Sequence, residues 1–203
     1  MVDVQNAYKF ALSYFPYAPD TKQEQVIKVI IANVLGADYP FTNAKQEQVI
    51  VMGSKGISLI GAAGTGKTTI FRSLSKFFSA YGKSLRVVTA VEIVSDVINN
   101  SPGILEKYVY GYLCISDIGS ENCPANYYGT SINVIKELIL LRYDKQSQLP
   151  VEQRTKLYLE HNLTTDKLKE RYDDIYGRIS SRLKEMMQTL SFGNNTKDHR
   201  SEK

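Results

Sequence analysis

Ile57-Ser-Leu-Ile60 followed by Gly61-Ala-Ala-Gly-Thr-Gly-Lys67-Thr68-Thr69 is the stretch on which the reading of this chain turns. The first four residues are mostly apolar and read as a short buried strand, and the run from Lys67 reads as a helix over 67–80. Between them Gly61, Ala62, Ala63, Gly64, Thr65, Gly66, Lys67 and Thr68 fit the spacing G-x-x-x-x-G-K-[ST], with Thr69 adjoining. The chemistry requires that composition. Glycines let the backbone curl so that successive N–H groups face phosphate oxygens. The helix that begins there turns its positive dipole end toward the anion. Lys67 then reaches the β- and γ-phosphates, and the Thr68 hydroxyl is a ligand for Mg²⁺.

Outward from this loop, strands alternate with helices. Leu85–Ala90, Tyr112–Ser116, Lys156–His161 and Thr189–Phe192 read as further strands, with helices at 91–99, about 127–145 and 175–187. That alternation predicts an α/β fold with a mostly parallel sheet covered on both faces. Ligands of such sheets bind beyond the carboxyl ends of the strands, so the residues just after each strand are the candidates. Asp117 follows the third strand, where a carboxylate would hold Mg²⁺ and its attacking water. Glu121, four residues on, is either a second acid of the site or an ordinary surface acid. Asn162 follows the fourth strand, placed to hydrogen-bond a γ-phosphate or the water. His161 beside it reads as structural. Arg178 and Arg182 are four apart and share a helix face. From spacing alone a solvated basic face is favoured over a pair that reaches a neighbouring subunit's phosphates. His199 has no His or Cys cluster around it, so no zinc-type site is expected.

Residues 1–55 read as a small helical segment ahead of a nucleotide-binding domain over 56–203. Asp20-Thr21 followed by Glu24 is a capping-box pattern, and Val26, Ile27, Ile30, Ile31 and Val34 mark one helical face up to Gly36. A second helix is predicted from near Asn43. The hexapeptide KQEQVI occurs at Lys22–Ile27 and again at Lys45–Ile50, which reads as two similar helix starts or a small duplication.

Composition narrows the class. At 203 residues with 43% hydrophobic and 23% charged side chains, one globular domain is expected and a disordered chain is excluded. The net charge of +4 is weak, but 142–203 holds 13 basic and 10 acidic residues and so most of the excess. Any polyanion would be met there. Two cysteines exclude a disulfide framework and point to a reduced, cytoplasmic setting. The amino terminus has no signal-peptide pattern. No apolar run approaches the roughly 20 residues of a membrane span.

Five elements in order carry a family resemblance: GAAGTGKTT at 61–69, SDIGSE at 116–121, EHNLT at 160–164, YGRISSRL at 176–183 and TKDHR at 196–200. Together they resemble the DnaC-like AAA+ ATPases, the bacterial replicative-helicase loaders, whose core is shared by the transposition helper IstB. The resemblance implies a P-loop AAA+ core with a sheet of about five strands in the order 5-1-4-3-2 and no separate lid domain. It implies ATP with Mg²⁺, bound between adjacent subunits of a homo-oligomer. Asn162 takes the sensor 1 position, Arg182 or Arg178 the arginine finger, and Arg200 the sensor 2 position. Single-stranded DNA and a replicative DNA helicase become the expected partners. The function implied is an ATP-hydrolysing helicase loader in DNA replication. The alternatives are an IstB-like helper on duplex DNA or a nucleotide-binding scaffold with little turnover. Two features depart from the pattern. Ser116 stands where the family has its Mg²⁺-linked aspartate, leaving Asp117 at the catalytic acid or shifted into the metal position, and weak hydrolysis is expected. Only about 55 residues precede the loop, where loaders usually carry a helicase-binding appendage.

Overall fold

The computed structural model describes residues 3–43, 45–172 and 177–193. In chain order, α1 spans Val4–Ala11 and α2 Thr21–Val34, β1 Tyr39–Thr42, β2 Gln48–Val51 and β3 Gly56–Ile60. Then come α3 at Lys67–Ala80, β4 at Leu85–Thr89, α4 at Ala90–Asn99 and β5 at Tyr112–Ile118. The rest is β6 at Ala125–Tyr127, β7 at Thr130–Ile132, α5 at Val134–Ser147, β8 at Leu157–His161, α6 at Thr165–Tyr172, α7 at Arg178–Met186 and β9 at Met187–Ser191. Among the described residues no helix is long and apolar enough to cross a membrane.

Five strands form one sheet in the order β4-β5-β8-β3-β9, with every neighbouring pair parallel. In the numbering of the five strands alone this is 2-3-4-1-5, the expected order read from the opposite edge. Side chains alternate across it. Ile57, Leu59, Cys114 and Tyr158 face α1–α3 and pack with Ile27, Ile30, Phe71 and Leu74. Leu113, Ile115, Leu157 and Leu159 face the other way, against Ile93, Val97, Leu138 and Ile139. Each such buried side chain contributes about 1.5–3 kcal/mol relative to exposure, so the sheet is fixed from both sides. Helices α1 and α2 share the core of the first face, so residues 4–34 pack directly on the element that carries the phosphate loop.

The structure corrects three local expectations. The cap of α2 is Asp20 and not Thr21: its carboxylate accepts from the Gln23 N–H at 2.8 Å, and the Gln23 side chain accepts from the Asp20 N–H at 3.1 Å. The capping box therefore sits one residue earlier than the Thr21–Glu24 pattern. The helix predicted from Asn43 is instead the hairpin β1–β2, paired antiparallel from Tyr39↔Val51 to Thr42↔Gln48. The helix predicted over 127–145 begins only at Val134, because Tyr128 and Gly129 adopt φ of 46° and 81° and close the hairpin β6–β7. Two consecutive positive-φ residues make the tight turn whose twist suits paired strands.

Candidate nucleotide site

The loop 61–66 joins the carboxyl end of β3 to the first turn of α3, and Gly64 and Gly66 sit at φ of 82° and 81°. A side chain at Gly66 would be strained and would also collide, since an added Cβ lies 2.5 Å from Tyr17 Oη and 2.6 Å from Gln23 Nε2. Tyr17 lies in the segment that leads into α2, and Gln23 in its first turn. Gln23 is buried, and its Nε2 donates to the Thr65 carbonyl at 3.0 Å and to Tyr17 Oη at 3.2 Å. The residue that closes the capping box of α2 thus also braces the phosphate loop. Sequence reasoning did not single out Gln23; the only signal is its place in the first turn of a capped helix.

Lys67 is 4% exposed, and its ammonium is held at the adjacent ends of β3 and β8. It donates to the Gly61 and Ala62 carbonyls, each at 2.8 Å, and to Asn162 Oδ1 at 2.7 Å. Glu160 Oε1 is 3.6 Å away. The Thr68 hydroxyl donates to Glu160 Oε2 at 2.9 Å, and the Asp117 N–H donates to the same oxygen at 3.1 Å. The structure therefore brings Gly61–Thr68, Asn162 and the backbone of Asp117 together, and adds Glu160. That acid stands inside the EHN run but was not among the expected site residues. Its signal is a carboxylate in the middle of an apolar strand, flanked by Leu159 and buried to 3%. Such a group is not retained there without partners.

The remaining expected residues fall elsewhere. The side chain of Asp117 is exposed, on a backbone bulge with φ of 54° that breaks the β5–β8 register between Ile115 and Ile118. Glu121 is 4% exposed and tied to other groups: it accepts from Tyr172 Oη, from Arg171 Nε at 3.2 Å and from the Gly119 N–H at 2.8 Å. That network is structural in character, since the Tyr172 proton and the Arg171 charge satisfy its carboxylate. Arg178 is exposed at the first turn of α7. Arg182 lies 4.1 Å over the Tyr143 ring and 3.7 Å from Glu185, which accepts from Tyr143 Oη at 2.6 Å. Arg200 and His199 lie outside the described residues.

The residues present fit a nucleotide triphosphate with Mg²⁺. The backbone N–H groups of Ala62, Ala63, Gly64, Thr65 and Gly66 donate to no protein acceptor among the described residues, so a curved row of donors stands ready for phosphate oxygens. The row runs into the amino end of the 14-residue helix α3. Thr68 and a carboxylate in contact supply the oxygen ligands that Mg²⁺ prefers.

His161 bears out its structural reading. Its Nδ1–H donates to the Leu163 carbonyl at 3.1 Å, so its Nε2 accepts from the Ser58 hydroxyl at 2.9 Å. Burial, with the Lys67 charge nearby, pushes the imidazole from 6.5 down to about 4. The unfolded chain gains this proton near pH 6.5 and the folded chain only near pH 4. The contribution is therefore complete above pH 6.5 and is lost as pH falls toward 4, by about 3 kcal/mol. Denaturant melts from pH 7 to 4 are expected to show that slope in the wild type and a flatter one in His161→Gln. Parallel slopes would refute the assignment.

No protein-family profile matches the chain, and no curated protein matches it. Solved structures do. A crystal structure of DnaI superposes with a TM-score of 0.54 at 15% identity, covering 97% of this chain and 82% of that one. The DnaC helicase loader gives 0.55 at 16% identity, covering 90% and 98%. A candidate primosome component from Streptococcus pyogenes serotype M3 gives 0.58 at 16% identity, covering 97% and 93%. The chain shares the fold of these structures, an α/β core with a five-stranded parallel sheet flanked by helices.

Proposed function

On the premise of that fold, we propose that the chain binds ATP with Mg²⁺ and acts in the manner of a replicative-helicase loader. The observation that carries this reading is the Lys67 ammonium, held between the loop carbonyls and Asn162 at the carboxyl end of the parallel sheet. A γ-phosphate is the anion for which that cation and that amide are both placed. When bound, ATP·Mg²⁺ supplies a cleavable phosphoanhydride whose charge differs before and after hydrolysis. The chain's own residues do the rest. The loop binds, Gln23 holds the loop's curvature, and Asn162 reports on what Lys67 contacts. Both cysteines are free thiols, which suits the cytoplasmic setting we propose.

Assembly and DNA binding belong to the same proposal. The site lacks an arginine of its own among the described contacts, and Arg178 or Arg182 of an adjacent subunit would supply it. Among the described residues of 142–203 the basic side chains do not form a single surface. Arg142 is fully buried and donates to main-chain carbonyls at Tyr108 and Gly111, and Lys156 is drawn inward to the Asn33 carbonyl. Arg154 caps the Leu149 and Ser147 carbonyls, and Arg171 serves Glu121. Lys167, Lys169 and Lys184 are exposed and are the lysines we assign to phosphate contacts. Ser116, a hydroxyl where an acid was expected, favours slow turnover over a fast ATPase.

The test is nucleotide-dependent capture. The protein, immobilised, is offered the host's replicative helicase and a labelled single-stranded oligonucleotide in ATP, in ADP and without nucleotide. Retention of both in ATP alone is expected, with DNA binding that weakens as salt rises, by a log–log slope of about 0.7 per phosphate contact. Equal retention in all three conditions would overturn the loader reading. DNA binding confined to duplex would favour the transposition-helper alternative.

A further inference from the structure

We propose that Glu160, on β8, is the carboxylate that balances the divalent cation at Thr68, a task the acid on β5 does not perform here. The inference rests on the ATP reading above. Glu160 Oε2 accepts the Thr68 hydroxyl proton at 2.9 Å. With that proton committed, the lone pairs of Thr68 Oγ1 stay available to a cation. The same carboxylate is fixed from a second side by the Asp117 N–H at 3.1 Å and lies 3.6 Å from Lys67. It is thus oriented by two donors and a cation. Lys67 stands at Oε1 while Oε2 holds the Thr68 hydroxyl, so a divalent cation bound at Thr68 would meet this carboxylate beside the helix amino end.

The neighbouring strand explains why the task moved. Ile115 pairs with Leu159 on the β5–β8 ladder, and Ser116 and Glu160 are the next residues on the two strands, just where the register slips by one before Ile118↔His161. Ser116 is fully buried, and its hydroxyl finds no hydrogen-bond partner among the described residues. The bulge at Asp117 then turns the next acid outward, leaving only its N–H beside the site. One position holds a hydroxyl with nothing to bind, and the position beside it on the next strand holds the carboxylate.

The test reads metal dependence of nucleotide affinity, not turnover. A fluorescent ATP analogue is titrated in EDTA and across a Mg²⁺ series, with folding of each variant checked by thermal melting. Wild type is expected to bind weakly in EDTA and more tightly with Mg²⁺. Glu160→Gln, nearly isosteric, is expected to keep its EDTA affinity and to need at least tenfold more Mg²⁺ for half of the gain. Asp117→Asn is expected to leave the Mg²⁺ response within about twofold. Adding Ser116→Asp to Glu160→Gln returns a carboxylate to the neighbouring strand end and is expected to restore part of the response. Should Glu160→Gln fail to fold, Glu160→Asp, which shortens the reach but keeps the charge, is expected to weaken the Mg²⁺ response by a smaller factor. An unchanged Mg²⁺ response in Glu160→Gln, or in Glu160→Asp where that variant is needed, overturns the assignment; so does loss of the response in Asp117→Asn alone. Failure of the wild type to bind the analogue in either condition overturns the ATP reading itself, a result separable from the first because it appears before any substitution.

Discussion

Lys67→Ala is expected to weaken ATP binding at least tenfold and to lower the stability of the protein. The first effect follows from the loss of a charge-assisted contact in a site 4% exposed, which costs about 1.5–3 kcal/mol or more. The second has a different origin. Lys67 is the cation next to Glu160, at 3.6 Å, and it satisfies the Gly61 and Ala62 carbonyls and Asn162. Removing one partner of a buried pair leaves the other charge uncompensated, at a cost of up to about 3–5 kcal/mol when no water replaces it. The two effects come apart in the double variant Lys67→Ala/Glu160→Gln. Stability should return in part, because the stranded charge is gone, while ATP affinity should not. Calorimetry and thermal unfolding on the three proteins decide this. Equal ATP affinity in wild type and Lys67→Ala would remove the phosphate site, and a double variant no more stable than the single one would show that the pair carries no net coupling.

The hexapeptide KQEQVI shows what a local sequence can and cannot say about this fold. At Lys22–Ile27 it is helical, with Val26 and Ile27 wholly buried. At Lys45–Ile50 the same letters run through a turn into β2, with Val49 and Ile50 exposed at 37% and 60%. Nothing inside the hexapeptide differs. Its context does. Asp20 caps the first copy, whereas the Asn43 side chain accepts from the Lys45 and Glu47 N–H groups ahead of the second, Gln46 takes φ of 64°, and β1 supplies a pairing partner. Asn before the repeat favours a turn as readily as a helix cap, and only the pairing decides between them.

The site was legible to the extent that it follows strand ends. Lys67 and Asn162 are 95 positions apart and meet because β3 and β8 are adjacent and parallel, a relation that the strand–helix alternation and the family order both imply. Glu160 was not legible in that way. Its role depends on which face of β8 it occupies and on what stands at its level on β5, and a bulge at Asp117 changes that level by one residue. Gln23 was hidden for a similar reason: a contact to Thr65 across 42 positions depends on how α2 docks, which no spacing records. The charge argument ran the other way. A count of basic residues over 142–203 cannot distinguish Lys167, exposed on α6, from Arg142, fully buried against main-chain carbonyls.

The second large effect is expected from a residue without chemistry, Gly56→Ala. Gly56 opens β3, the strand that carries the phosphate loop, and pairs with Met187 of β9 on one side. On the other side β8 comes so close that an added Cβ would stand 1.9 Å from the Leu157 carbonyl oxygen and 3.1 Å from its carbon. Both atoms belong to backbone within the sheet, so no side chain can rotate away to make room. Either β3 slides or β8 does, and in both cases the register that brings Lys67, Glu160 and Asn162 together is disturbed. Overpacking of a core by one methyl usually costs about 1–3 kcal/mol, and here the obstacle is main chain, so more than about 3 kcal/mol is expected. For a chain of this length that lowers the midpoint of thermal unfolding by roughly 6–12 °C. Gly103→Ala is the matched control, since its Cβ would meet only Ser101 Oγ at an ordinary 3.5 Å. That variant should unfold within about a degree or two of wild type. ATP affinity should follow the same division: reduced in folded Gly56→Ala, because the loop hangs from the displaced strand, and unchanged in Gly103→Ala. If Gly56→Ala melts alongside the control, the close approach of β3 to β8 is wrong, and with it the strand register on which the Lys67–Glu160–Asn162 cluster depends.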